Sequence, residues 1–169
     1  LWMKLNDVQN ELQSLLNIKP AGEKIQSMLF SSHARYLQYL NASIPEARQR
    51  RAIFFRNGDV FQIYAFRSRS LTTDLRHEFT HALLHQHLQF LPLWIDEGLA
   101  EYFEEPSAAR LRSGRQSSVR WKTRLGWTPS LRELESIPAA SDMTEDDYRD
   151  RWAWVSFLLN DSPETRRIL

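Results

Sequence analysis

The chain has no cysteine among its 169 residues, and that one absence removes several chemistries together. Disulfides, thiolate-held zinc, iron–sulfur clusters and a cysteine nucleophile are all excluded, so any metal must be held by histidine and carboxylate. Long apolar runs are missing as well. No stretch reaches the roughly 20 residues that span a bilayer as a helix, so no transmembrane segment is expected. There is no low-complexity tract and no internal repeat. Excess charge is lacking too: a formal net charge of +1 argues neither for nor against a polyanionic partner. No signal peptide is visible, although the chain opens on Leu1 rather than Met, which is compatible with a removed leader. What is present is ordinary for a folded domain, 42% hydrophobic and 25% charged, in a chain long enough to bury a core as one unit.

Residues 1–18 place Leu1, Leu5, Val8, Leu12 and Leu15 in steps of four and three, which predicts an amphipathic helix ended by Pro20 and Gly22. This segment, 1–22, is read as an N-terminal helix and linker, and 23–169 as the main domain. A weak strand is expected over 24–30 and a short helix over 32–42. The clearest β signal is the pair Ala52–Arg56 and Val60–Phe66 around Asn57-Gly58, a favoured dipeptide of tight hairpin turns. Ser70 to Thr73 offer N-caps for a helix running to about Leu88. Pro92 separates it from a second helix near Trp94 to Glu105. A loop containing Gly114, with a short hairpin, is expected next. Thr144 and Asp147 form a capping-box pattern that opens a helix over 145–160, and Asp161-Ser162-Pro163 begins a further one. The expected class is α+β: a small N-terminal sheet with a hairpin, packed on a central helix and followed by a mainly helical C-terminal part.

That central helix carries His77-Glu78-Phe79-Thr80-His81, an HExxH motif. Residues i and i+4 share one helix face, so both imidazoles can reach a single metal ion. Glu78 lies about 100° round from His77, a poor position for a third ligand but a good one for taking a proton from the attacking water. Ala82, Leu83 and Leu84 follow His81 directly, which argues against a plainly solvated face.

Three residues compete to complete the metal site. His85, at i+8 from His77, lies about 12 Å along the axis, too far for three rings to converge. His87 holds the third-histidine position of a metzincin pattern, HExxHxxGxxH. That pattern needs glycine where this chain has Leu84, at a point where the backbone must turn back. Met143 would be its Met-turn. Glu97, in Trp94-Ile95-Asp96-Glu97-Gly98-Leu99-Ala100-Glu101-Tyr102-Phe103-Glu104, is the strongest candidate. The span from His81 suffices to finish one helix, turn at Pro92 and bring a second helix alongside. Gly98 and Ala100 are small, as expected where that helix approaches the first. Glu101, one turn beyond Glu97, is placed to accept the outer N–H of a ligand histidine.

HEFTHALLH followed by LPLWIDEGLAEYFE resembles the gluzincins, the HExxH-plus-Glu metallopeptidases, and in particular bacterial peptidase-MA-like domains, including a group known only as a domain of unknown function. More distantly it is similar to thermolysin and the zinc aminopeptidases. The resemblance covers about residues 70–160. It implies a zincin-like fold, one zinc ion held by His77, His81 and Glu97, Glu78 as general base, and Glu101 as the carboxylate behind the ligands. Tyr148, in Tyr-Arg-Asp-Arg-Trp-Ala-Trp-Val-Ser-Phe-Leu-Leu, is similar to the aminopeptidase tyrosine that donates to the oxyanion of the tetrahedral intermediate. No GAMEN-like exopeptidase motif occurs in residues 52–66, so recognition of a free N-terminus is not implied. The expected function is a zinc-dependent peptidase acting on peptide or protein substrates, in the bacterial periplasm or secreted. The rival is a metal-binding, catalytically silent interaction domain of an envelope or secreted protein, against which an intact Glu78 argues.

Residues 106–127 contain Arg110, Arg112, Arg115, Arg120, Lys122 and Arg124 with no acid, interleaved with Trp121 and Trp127. A solvated basic loop beside the acidic stretch 133–150 is expected, with no specific nucleic-acid binding. Trp152 and Trp154 fall in the last long helix, where at least one is expected in the core.

Overall fold

The computed structural model describes residues 2–19, 21–110 and 114–169. Leu1, Pro20 and Arg112, which the sequence reading used, lie outside the described residues. The class is α+β, built on one small mixed sheet. Helix α1 (Trp2–Leu16) leads into strand β1 (Ile25–Phe30), helix α2 (His33–Ser43), strand β2 (Ala52–Asn57) and strand β3 (Val60–Phe66). The long helix α3 (Leu71–His87) and helix α4 (Leu93–Phe103) follow. After them come α5 (Ser107–Arg110), α6 (Gly114–Arg124), α7 (Leu131–Ser136), α8 (Glu145–Asn160) and α9 (Pro163–Arg166). None of the described helices is long and apolar enough to cross a membrane.

The sheet order is β1-β3-β2, with β1 parallel and β2 antiparallel to the central β3. The alternation along β3 sorts its side chains onto two apolar clusters. Ile63 and Ala65 join Ala52, Leu5 and the α3 residues Leu75 and Ala82. Tyr64 points to the opposite face, among Tyr36, Leu40, Ile44 and Ala47. The hairpin turn differs from expectation by one residue. Asn57 is already paired with Val60, so the two turn residues are Gly58 and Asp59. Gly58 has φ +58° while Asp59 is not among the positive-φ residues, the type II′ pattern with glycine in the first central position.

The main core lies between the helices. Val8 and Leu12 of α1 meet Leu83 and Leu84 of α3, Leu99 and Phe103 of α4, and Trp152, Val155 and Leu159 of α8. The apolar stripe of the N-terminal helix thus packs into this core. Arg76 locks the arrangement polarly. Its guanidinium is fully buried and donates to the carbonyls of Phe103 (3.0 Å), Glu104 (3.0 Å) and Lys4 (2.8 Å). It thereby satisfies orphan carbonyls at the end of α4 and fixes that end beside His77.

Three further expectations are corrected. Gly98 closes against α8, not α3: a Cβ there would lie 2.7 Å from Val155 Cγ2 and 3.1 Å from the Arg151 carbonyl oxygen. The reason is helical phase, since the residue after Glu97 is about 100° round from it. The segment holding Gly114 is no loop or hairpin but α6, and it buries no residue of its own. Without an apolar stripe, the periodicity that reveals a helix is absent. Nor is its basic stretch uniformly solvated. Arg110 is buried, stacks over Tyr102 at 3.9 Å and pairs with Glu11 at 2.6 Å, while Arg115 turns into the site described next. The capping box at Thr144 forms as expected, and Trp152 is buried.

Candidate metal centre

His77 and His81 project from adjacent turns of α3, and Glu97 comes from the second turn of α4. Their nearest ligand atoms form a small triangle. The two Nε2 atoms are 3.3 Å apart, and Glu97 Oε2 lies 3.6 Å from His77 Nε2 and 3.9 Å from His81 Nε2. A point equidistant from such a triangle lies about 2.1 Å from each corner, inside the range of Zn–N and Zn–O bonds. Glu97 Oε2 is buried and reaches no hydrogen-bond partner. A buried carboxylate oxygen aimed at two imidazole nitrogens is what a divalent cation would satisfy, and a His₂Glu donor set suits zinc. The residues therefore fit the ion.

The outer ring nitrogens are held as a metal site requires. His77 Nδ1 donates to Glu104 Oε2 at 3.2 Å, and His81 Nδ1 donates to Asp96 Oδ1 at 2.8 Å. Because a carboxylate only accepts, each Nδ1 carries a proton, so in the neutral ring it is the Nε2 lone pair that faces the triangle. Asp96 also accepts from His85 Nε2 through its other oxygen, at 2.9 Å. Arg115 of α6 donates to Glu104 Oε1 at 3.1 Å and pairs with Glu101. The carboxylates bonded to the outer ring nitrogens are thus Glu104 and Asp96, while Glu101, with a carboxylate oxygen within 4.8 Å of a His77 ring nitrogen and of Glu104, is held by Arg115. Sequence reasoning missed Asp96, Glu104 and Arg115. The signal for the two acids was the density of acids around Glu97, and for Arg115 its place in the basic stretch 106–127.

Glu78 points the other way round the helix, toward the sheet. Its Oε2 accepts the Phe54 N–H at 2.7 Å, which fixes the carboxyl at the outer edge of β2. Tyr148, near the start of α8, is half-buried and lines the same cavity as His77, Glu78 and Glu97. The structure therefore brings His77, Glu78, His81, Glu97 and Tyr148 together. His85 is outside the triangle. α3 runs unbroken through Leu84, so the chain does not turn back there, and His87 sits exposed at the helix end.

Burial and neighbours set the protonation states. Burial alone pushes the His77 ring down, but contacts with Glu104 and Glu97 outweigh it and hold it well above the ordinary imidazole value. His81 is likewise raised, burial being outweighed by Asp96. Burial pushes Glu97 and Asp96 up, yet the histidines beside them hold both below the usual carboxylate range. Glu101 is pushed up to about 7 by burial and then by Glu104. Burial, followed by the Glu97 charge, raises the Tyr148 phenol, which keeps its O–H a donor at neutral pH.

Comparison of the chain with sequence-family profiles, with curated proteins and with solved structures finds no match.

Proposed function

We propose that this protein is a zinc-dependent peptidase of the gluzincin type, with His77, His81 and Glu97 as ligands and Glu78 as general base. One observation carries the reading: two imidazole nitrogens and one buried, unpartnered carboxylate oxygen converge at zinc-ligand spacing, with a carboxylate behind each ring. Three protein ligands leave a fourth position for water and substrate, the open pattern of a catalytic rather than a structural site. The α+β arrangement, with a hairpin-bearing sheet against the HExxH helix, supports a zincin-like fold.

Zinc bound at the triangle would polarise the scissile carbonyl and lower the pKa of its water to about 7. Glu78 does the proton work. Its Oε2 is tethered by the Phe54 N–H, so the carboxyl holds one orientation while it takes the water's proton and then passes it to the leaving amine. The Tyr148 hydroxyl donates to the oxygen on which negative charge develops. Asp96 and Glu104 keep both imidazoles in the tautomer whose Nε2 is free.

Zinc stoichiometry tests the ligand assignment. The parent is expected to bind one zinc per chain, and His77→Ala, His81→Ala and Glu97→Ala to lose it, while His87→Ala keeps it. Zinc retained by Glu97→Ala, or lost on removing His87, would return the site to the metzincin reading.

A further inference from the structure

Two cavities open on either side of the ligand triangle. One, of about 190 Å³, is lined by His77, Glu101 and Tyr148; the other, of about 250 Å³, by Phe54, His81 and His85. Three residues line both: Glu78, Glu97 and Arg50. The first two have roles in the reading above. Arg50 does not.

The other charges around the first cavity are already matched within the protein. Arg51 pairs with Asp74 at 2.9 Å, and Arg115 pairs with Glu101 and Glu104. Glu97 would be matched by the metal, and Glu78 is tethered to a backbone amide. The Arg50 side chain is exposed and makes no hydrogen bond or ion pair with any of the described residues. Its charge nonetheless reaches the site, adding to the lowering of the Glu97 carboxyl behind the two histidines and opposing the rise that burial and Glu97 give the Tyr148 phenol. Its backbone is not loose: the Arg50 N–H donates to the Ala47 carbonyl at 2.9 Å, closing the turn that leads into β2. A guanidinium held at the rim of a cleft, with no acid among the described residues in ion-pair contact with it, presents a fork of donors shaped for a carboxylate.

We propose that Arg50 anchors an anionic subsite, so that the peptides taken by this site carry a carboxylate within a residue or two of the bond cleaved. The carboxylate belongs to an acidic side chain or to a free C-terminus, since both present the same group to the fork. This rests on the zinc-peptidase reading of the cleft. Access from both cavities lets the guanidinium meet an anion on either side of the scissile bond without disturbing the ligands.

The test uses binding rather than turnover. Zinc-loaded protein is titrated calorimetrically with two pairs of short peptidyl hydroxamates, whose zinc-chelating group needs only the metal. One pair differs by Glu against Gln in the side chain, the other by a C-terminal carboxylate against a carboxamide. In the parent, the acidic member of at least one pair is expected to bind about ten-fold tighter or more, the gain of a charge-assisted contact. Whichever pair shows the difference identifies the source of the carboxylate. Arg50→Gln, at unchanged zinc content, should bind both members of that pair alike, and Arg50→Glu should favour the neutral member. Equal binding of acidic and neutral members by the parent overturns the proposal and leaves the peptidase reading standing. So does a preference that survives in Arg50→Gln. If no hydroxamate binds the zinc-loaded protein, the metal-site reading fails and the subsite falls with it.

Discussion

At the scale of single residues, the centre depends on carboxylates that do not touch the metal position. Glu104 and Asp96 each fix one imidazole by its Nδ1–H, so removing either charge frees a ring to rotate and lowers its basicity. Glu104→Gln and Asp96→Asn are expected to weaken zinc binding by roughly 10–100-fold without abolishing it, as measured by competition against a chelator. Affinity unchanged in both would remove them from the site. Tyr148 makes a different prediction, because in the proposed mechanism its hydroxyl serves only developing charge. Tyr148→Phe should lower kcat on the order of 10²-fold or more while KM and zinc content stay near the parent; a change confined to KM would assign the hydroxyl to substrate binding. The grouping of His77, Glu78, His81 and Glu97 was legible in the sequence, because it follows from spacing along one helix and one short turn. Asp96 and Glu104 were not. Glu101 and Glu104 lie on one flank of α4, and which of them meets His77 depends on how α4 is rotated against α3, a tertiary quantity that no local pattern encodes.

At the scale of elements, the site is held by two helix contacts. Arg76 ties the end of α4 to α3 and α1, and Gly98 lets α8 close against α4 with no side chain between them. Gly98→Ala would place a methyl 2.7 Å from Val155 Cγ2 and 3.1 Å from a backbone oxygen. The expected cost is roughly 1–3 kcal/mol by denaturant unfolding. Because Glu97 precedes Gly98 and Tyr148 lies one turn before Arg151, activity should fall further than stability alone explains. A variant as stable and active as the parent would show that the contact relaxes freely. The hairpin, the HExxH helix and the capping box of α8 were readable from turn chemistry, helix period and cap residues. The helix α6 was not, since it buries none of its residues and therefore shows no period. The missing stripe hid the element that delivers Arg115 to the site.

At the scale of the whole molecule, the protonation states couple folding, metal and pH. In the metal-free protein Asp96 and Glu97 are held below their usual values, so their stabilisation is present above about pH 4 and lost as pH falls through the folded values. Glu101 is raised from 4.5 to about 7 and the two histidines are raised above 6.5. Their stabilisation is complete at low pH and is lost as pH rises, first through the Glu101 range and then through that of the histidines. The metal-free Tm is therefore expected to peak at roughly pH 5 and decline toward neutrality. Zinc must displace the imidazole protons, so its affinity should climb with pH over the same interval, and the Tm gap between zinc-loaded and metal-free protein should widen from pH 5 to pH 8. A metal-free Tm that rises through neutrality, or zinc affinity indifferent to pH, would contradict these assignments.

The central claim is that the cleft hydrolyses peptide bonds with Glu78 as base. It is tested most directly by mass-spectrometric profiling of an unbiased peptide library, with parent and Glu78→Gln each loaded to one zinc per chain. The account predicts cleavage by the parent and a loss on the order of 10²–10⁴-fold in Glu78→Gln at equal zinc content. Zinc-loaded parent that cleaves nothing, or a Glu78→Gln variant that cleaves as well as the parent, would contradict it.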